Sequence, residues 1–181
     1  MISLTRMKKP FLIIIDGPMG AGKSTTANLL KERMKEKTAL ISIDYLKKVV
    51  SQHKLDSLVH HKIAQKAAIG LTNFYLKEGI NVIVEKAFTI DKFLKSFIKS
   101  IKKKNKMFVY QIEVPFEIGF SRVKERESQK ERGIPKRKVK EKFTRNHAHY
   151  KQGKYREAKV FDSSKFTPKQ IVNRILREVY K

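Results

Sequence analysis

Residues 17–24, GPMGAGKS, set glycines at 17, 20 and 22 ahead of a lysine and a serine. They fill every fixed position of the phosphate-cradling signature G-x-x-x-x-G-K-[ST]. The chemistry follows from the residue types. Glycine lets a backbone curl without Cβ clashes, so N–H groups from Gly17 through Ala21 and Gly22 can turn inward toward phosphate oxygens. A helix expected to follow, carrying Lys23, Ser24 and Thr25, adds the positive end of its dipole. Lys23 can bridge β- and γ-phosphates, and Ser24 can offer its hydroxyl to Mg²⁺. Such a loop grips a nucleotide. It does not say whether the nucleotide drives motion, switches a partner or donates its terminal phosphate.

Mg²⁺ takes oxygen ligands and is often held by an acid at the end of a second strand. Glu85, after the apolar run NVIV, is the candidate, with Lys86 beside it as a competing partner. Asp16, Asp44 and Glu85 each close a short apolar run, in LIIID, LISID and NVIVE. These runs predict strands at Phe11–Asp16, Ala39–Asp44 and Ile80–Glu85, with two more at Met107–Val114 and Lys159–Phe161. Longer amphipathic stretches between them predict helices near 22–36, 45–54, 56–78, 90–104, 116–130, 136–151 and 168–180. Strand and crossover helix in alternation give a right-handed parallel sheet. Sites in such sheets gather beyond the carboxyl ends of the strands, where the glycine loop, Asp44 and Glu85 all fall. The last helix has a marked start in FTPKQIVNRIL: Thr167 can cap it, Pro168 fits its first turn and Gln170 completes a capping box.

The 181 residues suit one domain with a continuous core. No repeat or linker divides them. With no cysteine, disulfides, thiolate metal sites and cysteine nucleophiles are excluded, in keeping with a cytoplasmic setting. The opening MISLTRMKKPFLIIIDG has basic residues before an apolar run, but that run stops at Asp16, too short for a signal core or a membrane span. Charge is the second strong signal: 42 Lys and Arg against 17 Asp and Glu, net +25. Such a field attracts polyanions, nucleic acid first among them. Lysine outnumbers arginine 32 to 10, as compositional bias would give, but bias of that kind raises glutamate too, and acids here are scarce.

The segments IIIDGPMGAGKST, ISIDYLKKVV, VIVEKAF, SRVKER and VFDSSKFTPKQIVNRIL run in the order seen in small P-loop kinases. Over nearly the whole chain the sequence resembles the group of polynucleotide kinases and the kinase of seryl-tRNA charged for selenocysteine, with nucleoside monophosphate kinases as cousins. The resemblance implies a three-layer α/β/α P-loop NTPase fold with a five-stranded parallel sheet and a helical lid. It also implies ATP and Mg²⁺, one kinase domain over 1–181, an acceptor segment near 45–79 and a lid near 122–150. In that group the acid closing the second strand contacts the acceptor hydroxyl, here Asp44; a carboxylate there can orient the hydroxyl and take its proton. The alternative for Asp44 is a helix N-cap. Relatives often carry arginine three residues beyond, where this chain has Lys47, a point charge rather than a fork. Arg122 and Arg126, four apart on one helix face, match the arginines that open the lid, one over adenine and one reaching the phosphates. Arg132 in ERGIP is a further lid candidate, and DSSKFTP matches the loop that cups adenine.

A GTPase would need an N-K-x-D guanine reader, and NKMF at 105 lacks the aspartate. A larger motor would need more chain. Phosphate donation is the favoured reading. The segment after Asp44 holds Tyr45, Lys47, Lys48, His53, Lys54, His60, His61 and Lys62, able to track a phosphate backbone with Tyr45 stacking a base. Lysine-rich runs recur at 102–104 and 136–140. VHHK is a poor metal site, since adjacent histidines point to different helix faces. A nucleic-acid acceptor, a polynucleotide 5′-hydroxyl or a tRNA-linked group, is therefore expected. The alternatives are a small-molecule or nucleoside monophosphate kinase, and an RNA-associated nucleotide-binding module with weak ATPase activity.

Overall fold

The computed structural model describes residues 9–50, 58–88, 91–101, 105–128, 136–152, 155 and 157–181. In chain order the elements are β1 (Phe11–Asp16), α1 (Lys23–Arg33), β2 (Thr38–Ser42), α2 (Ile43–Val49), α3 (Leu58–Lys77) and β3 (Asn81–Lys86). They continue as α4 (Asp91–Ser100), β4 (Lys106–Glu113), α5 (Phe116–Ser128), α6 (Lys136–Gln152), β5 (Lys159–Asp162) and α7 (Pro168–Val179). The five strands form one sheet in the order β2-β3-β1-β4-β5, parallel at every pairing.

Both faces of this sheet are covered, which is why its strands read as apolar runs rather than alternations. Ile13 and Ile15 of β1 face one side, packing with Ala27 and Leu30 of α1 and Ile171, Val172 and Ile175 of α7. Leu12 and Ile14 face the other, against Ala64 and Ala68 of α3 and Leu94 and Phe97 of α4. All four β1 side chains are fully buried, each contributing about 1.5–3 kcal/mol of transfer free energy. α7 begins as its sequence predicts: the Thr167 hydroxyl accepts from Gln170 N at 3.3 Å, and Gln170 Oε1 accepts from Thr167 N at 2.9 Å.

One boundary differs in a way that matters. β2 stops at Ser42, not Asp44, because the Ser42 hydroxyl caps α2 by accepting from Tyr45 N at 3.4 Å. Asp44 thus neither ends a strand nor caps a helix. It lies in the first turn of α2, where the helix dipole favours a negative charge.

A third, smaller core joins α5 and α6 through Val123, Val139 and Phe143, with Met19 of the glycine loop packed against it. The loop also fits tightly against α5. Gly20 has φ +83°, and a Cβ built there would stand 2.4 Å from the Gly119 carbonyl oxygen. Two backbones meet where neither neighbour has room to yield. Gly20→Ala is expected to cost about 2 kcal/mol or more, from αL strain plus this clash. A fall in the denaturation midpoint with unchanged m-value would register it, and an unshifted midpoint would contradict the packing.

Candidate active site

The loop between β1 and α1 is held at both ends. Asp16, fully buried at the end of β1, accepts at Oδ1 from Gly17 N (2.7 Å) and Phe88 N (2.8 Å), and at Oδ2 from Gln111 Nε2 (3.0 Å). Burial pushes this carboxyl up to about 6, against the lowering effect of those three donors and of Lys23. The native state therefore keeps the proton to a higher pH than the unfolded chain, and stability falls as pH rises through that window. Relative to Asp16→Asn, wild type should lose up to about 3 kcal/mol between pH 4 and 7. Asparagine keeps the Oδ1 acceptor, and Gln111, whose Oε1 has no partner among the described residues, can turn its amide to match. Stability curves that run parallel across this range would refute the assignment.

At the loop's far end, Gly22 is the N-cap of α1 in the left-handed region, with no side chain capping the helix and no acid in its first turn. The first-turn amides are thus left to an incoming anion. Lys23 is buried and lies back along the loop, donating to the Pro18 carbonyl at 2.9 Å. Ala21 is buried, and Ser24 and Thr25 stand exposed at the head of α1. Ser24 Oγ donates to Glu85 Oε1 at 2.9 Å, and Ser42 Oγ donates to Glu85 Oε2 at 3.0 Å. Hydroxyl and carboxylate form an all-oxygen donor pair beside the phosphate cradle, of the kind that suits Mg²⁺. Among the described residues no group of three or more His, Cys, Asp or Glu is placed to hold a metal.

Lys86 does not pair with Glu85 as its neighbouring position suggested. Successive strand side chains point to opposite faces, and Lys86 turns instead toward α2 and α3. Its Nζ lies 3.2 Å from His61 Nδ1 and 4.0 Å from Asp44 Oδ1. Lys47 Nζ lies 2.8 Å from the same Asp44 oxygen and 3.5 Å from His61 Nε2. Enclosure pushes the Asp44 carboxyl up, but the ammonium groups of Lys86, Lys47 and Lys23 outweigh it and hold the group well below the usual carboxylate range. Lys86 is lowered by its own burial, with Asp44 pulling the other way. Asp44 stays half-exposed in the cleft and ionised.

Arg122 crosses to the other side of the loop. Its guanidinium donates to the Gly20 carbonyl (3.3 Å), to Ser163 Oγ (3.0 Å) and to the Ser163 carbonyl (3.0 Å). This joins it to the DSSKFTP loop. Arg126, one turn on, donates from Nε to the Arg122 carbonyl at 3.4 Å. Arg132, His53, Lys54 and the lysines at 102–104 lie outside the described residues. The structure thus gathers Lys23, Ser24, Glu85, Asp44, Arg122 and the glycine loop on one edge of the sheet. It adds contacts that sequence reading did not supply. Lys86 and His61 back Asp44, Ser42 shares Glu85, and Asn146 of α6 accepts from Met19 N at 2.8 Å. Strand alternation was the available signal for Lys86; the others are joined only by tertiary packing.

A parallel five-stranded sheet in this order, with a complete phosphate loop after β1 and helices on both faces, defines a P-loop kinase-type domain. The chain belongs to the Zeta toxin family, whose model matches residues 2–170. No curated protein matches the sequence. Among solved structures, the chain is similar to one from the Pnkp1/Rnl/Hen1 RNA repair complex, at 20% identity and TM-score 0.67, covering 85% of this chain and 49% of that one. It therefore spans about half the length of that relative. It is also similar to a sugar kinase from Janibacter sp. (12% identity, TM-score 0.62, 93% of each chain). A third is the Deinococcus radiodurans tunicamycin resistance protein (15% identity, TM-score 0.65, 94% and 95%). At these identities the likeness is one of fold.

Proposed function

We propose that the chain transfers the γ-phosphate of MgATP to a hydroxyl on a nucleic-acid acceptor, a polynucleotide 5′-end or a tRNA-linked group. One observation carries the reading. The donor side, Lys23 with the Ser24–Glu85 pair, and an ionised Asp44 stand at the same sheet edge, connected through Ser42 of the α2 cap. A nucleotide switch has no use for a second carboxylate held charged beside the cradle. The net charge of +25 supports a polyanionic acceptor.

In this reading the loop amides and Lys23 hold the β- and γ-phosphates. Ser24 and Glu85 would hold Mg²⁺, which neutralises charge on the phosphate oxygens when bound. Asp44 orients the acceptor hydroxyl; the P–O bond to the acceptor forms as the bond to ADP breaks. A carboxylate held so low is a weak base. Its role is chiefly alignment, and it takes the hydroxyl proton late in a loose transition state and passes it to solvent. Arg126, in a lid formed by the 122–150 region, supplies positive charge during transfer. Arg122 and the DSSKFTP loop hold the base, Arg132 belongs to the same lid, and residues 45–79 receive the acceptor.

Glu85→Gln tests the metal assignment. It is expected to raise the Mg²⁺ concentration for half-maximal activity by about 10- to 100-fold, with nucleotide affinity in the absence of metal little changed. An unaltered Mg²⁺ titration would remove Glu85 from the site. Among the described residues no helix is long and apolar enough to cross a membrane.

A further inference from the structure

A planar trans peptide sends its C=O and its N–H in opposite directions, so whatever holds one group aims the other. At Pro18–Met19 both groups are held. The Pro18 carbonyl accepts from Lys23 Nζ at 2.9 Å and from Ala21 N at 3.3 Å. The Met19 N–H points the other way and donates to Asn146 Oδ1 at 2.8 Å. Asn146 is itself firmly placed. Phe143, Asn146, His147 and Tyr150 recur at the three- and four-residue spacing of one face of α6. Phe143 is fully buried, with its ring 3.1 Å from where a Cβ on Gly119 of α5 would stand. His147 is buried and donates from Nε2 to the Val114 carbonyl at 3.2 Å, and Tyr150 is buried one turn further on. The second half of α6 is therefore built into the donor side of the cleft. A loop amide in need of nothing but a partner would find water here, because the contact is only partly buried.

We propose that Asn146 is a positioning residue for phosphoryl transfer, acting through the Pro18–Met19 peptide to aim the carbonyl that holds the Lys23 ammonium. With the N–H tied to α6, the peptide plane cannot turn, and Lys23 waits along the loop in one place. Without Asn146 the plane can rotate about the bonds on either side of it, carrying the carbonyl away from the lysine. The charge that meets the β- and γ-phosphates is then no longer preorganised. The proposal rests on the kinase reading above and adds to it a residue from α6, distant in sequence, that sets the donor side.

A double-mutant cycle on the full chain tests it, read as the affinity for the β,γ-imido analogue of ATP with Mg²⁺. Asn146→Leu keeps the size of the side chain and removes the acceptor. Asn146→Ala removes it with no demand for space, and carries the same expectation if leucine does not pack. Either variant should weaken the analogue about tenfold when Lys23 is present, the scale of a hydrogen bond that orients a charged group. In a Lys23→Ala background the same substitution should cost less than about twofold, because the residue it acts through is gone. Hydrogen exchange gives an independent reading: the Met19 amide should be protected in the wild type and lose that protection in both Asn146 variants. An equal loss of affinity in the two backgrounds would make Asn146 a merely structural residue and overturn the proposal. So would unchanged affinity with Lys23 present, or an unprotected Met19 amide in the wild type. All three leave the kinase reading standing. Failure of the wild type to bind the analogue, measured first, overturns that reading and the proposal together.

Discussion

Lys23→Ala is expected to lower phosphoryl transfer by about 10³-fold or more, the scale of removing a preorganised charge from a transition state, while the chain stays folded. The lysine's ammonium is buried against the loop and reaches the Pro18 carbonyl at 2.9 Å. In the proposed reaction it leaves that carbonyl for the β- and γ-phosphates, where negative charge develops as the bond to ADP breaks. The folding cost should be small, about 1 kcal/mol for an exchanged hydrogen bond, since alanine removes the charge together with its need for a partner. Thermal unfolding and transfer measured on the same preparation separate the two effects. Undiminished turnover would show that the loop's lysine takes no part in the chemistry.

Asp44→Asn should reduce transfer by about 10²- to 10⁴-fold with little change in ATP affinity. Asparagine matches the carboxylate in shape but cannot align an attacking hydroxyl as a charged acceptor. Because Lys47 and Lys86 hold Asp44 well below the usual carboxylate range, its charged form contributes stability above the unfolded value near 3.8, lost only as pH falls through the lower native value. Wild-type activity should accordingly show no acid limb from Asp44 above about pH 4. The variant also leaves two buried ammonium groups without their carboxylate, a destabilising change. The decisive comparison is therefore kcat at saturating ATP against the affinity for ATP, each per folded molecule. If the two fall together, Asp44 holds the cleft in shape and does not face the acceptor.

How far the sequence disclosed this arrangement depends on the range of the forces involved. The glycine loop is local, and its complete signature after an apolar run located it without tertiary information. The strands were legible because a sheet buried on both faces needs unbroken apolar runs, as FLIIID and NVIV show. Asp44 was misplaced by two residues for an equally local reason. ISID alternates like a strand, but Ser42 competes for the backbone and starts a helix. The partners of Asp44 were another matter. His61 meets Lys47 across 14 residues and Lys86 across 25. Asn146 reaches Met19 across 127. No periodicity encodes such meetings; they follow from how α2, α3 and α6 settle around the sheet. The same holds for Gly119, an unremarkable helical glycine until Gly20 is packed against it.

The central claim is that this cleft hands a phosphate to an acceptor rather than to water. ATP labelled in the γ-phosphate, incubated with the protein, Mg²⁺ and a panel of 5′-hydroxyl RNA, DNA, tRNA, nucleotides and sugars, tests it directly. Label should be carried into the hydroxyl of an acceptor, with ADP released in step with it and both lost in Lys23→Ala. ADP formed at the same rate with or without acceptor, with all label in inorganic phosphate, would contradict it.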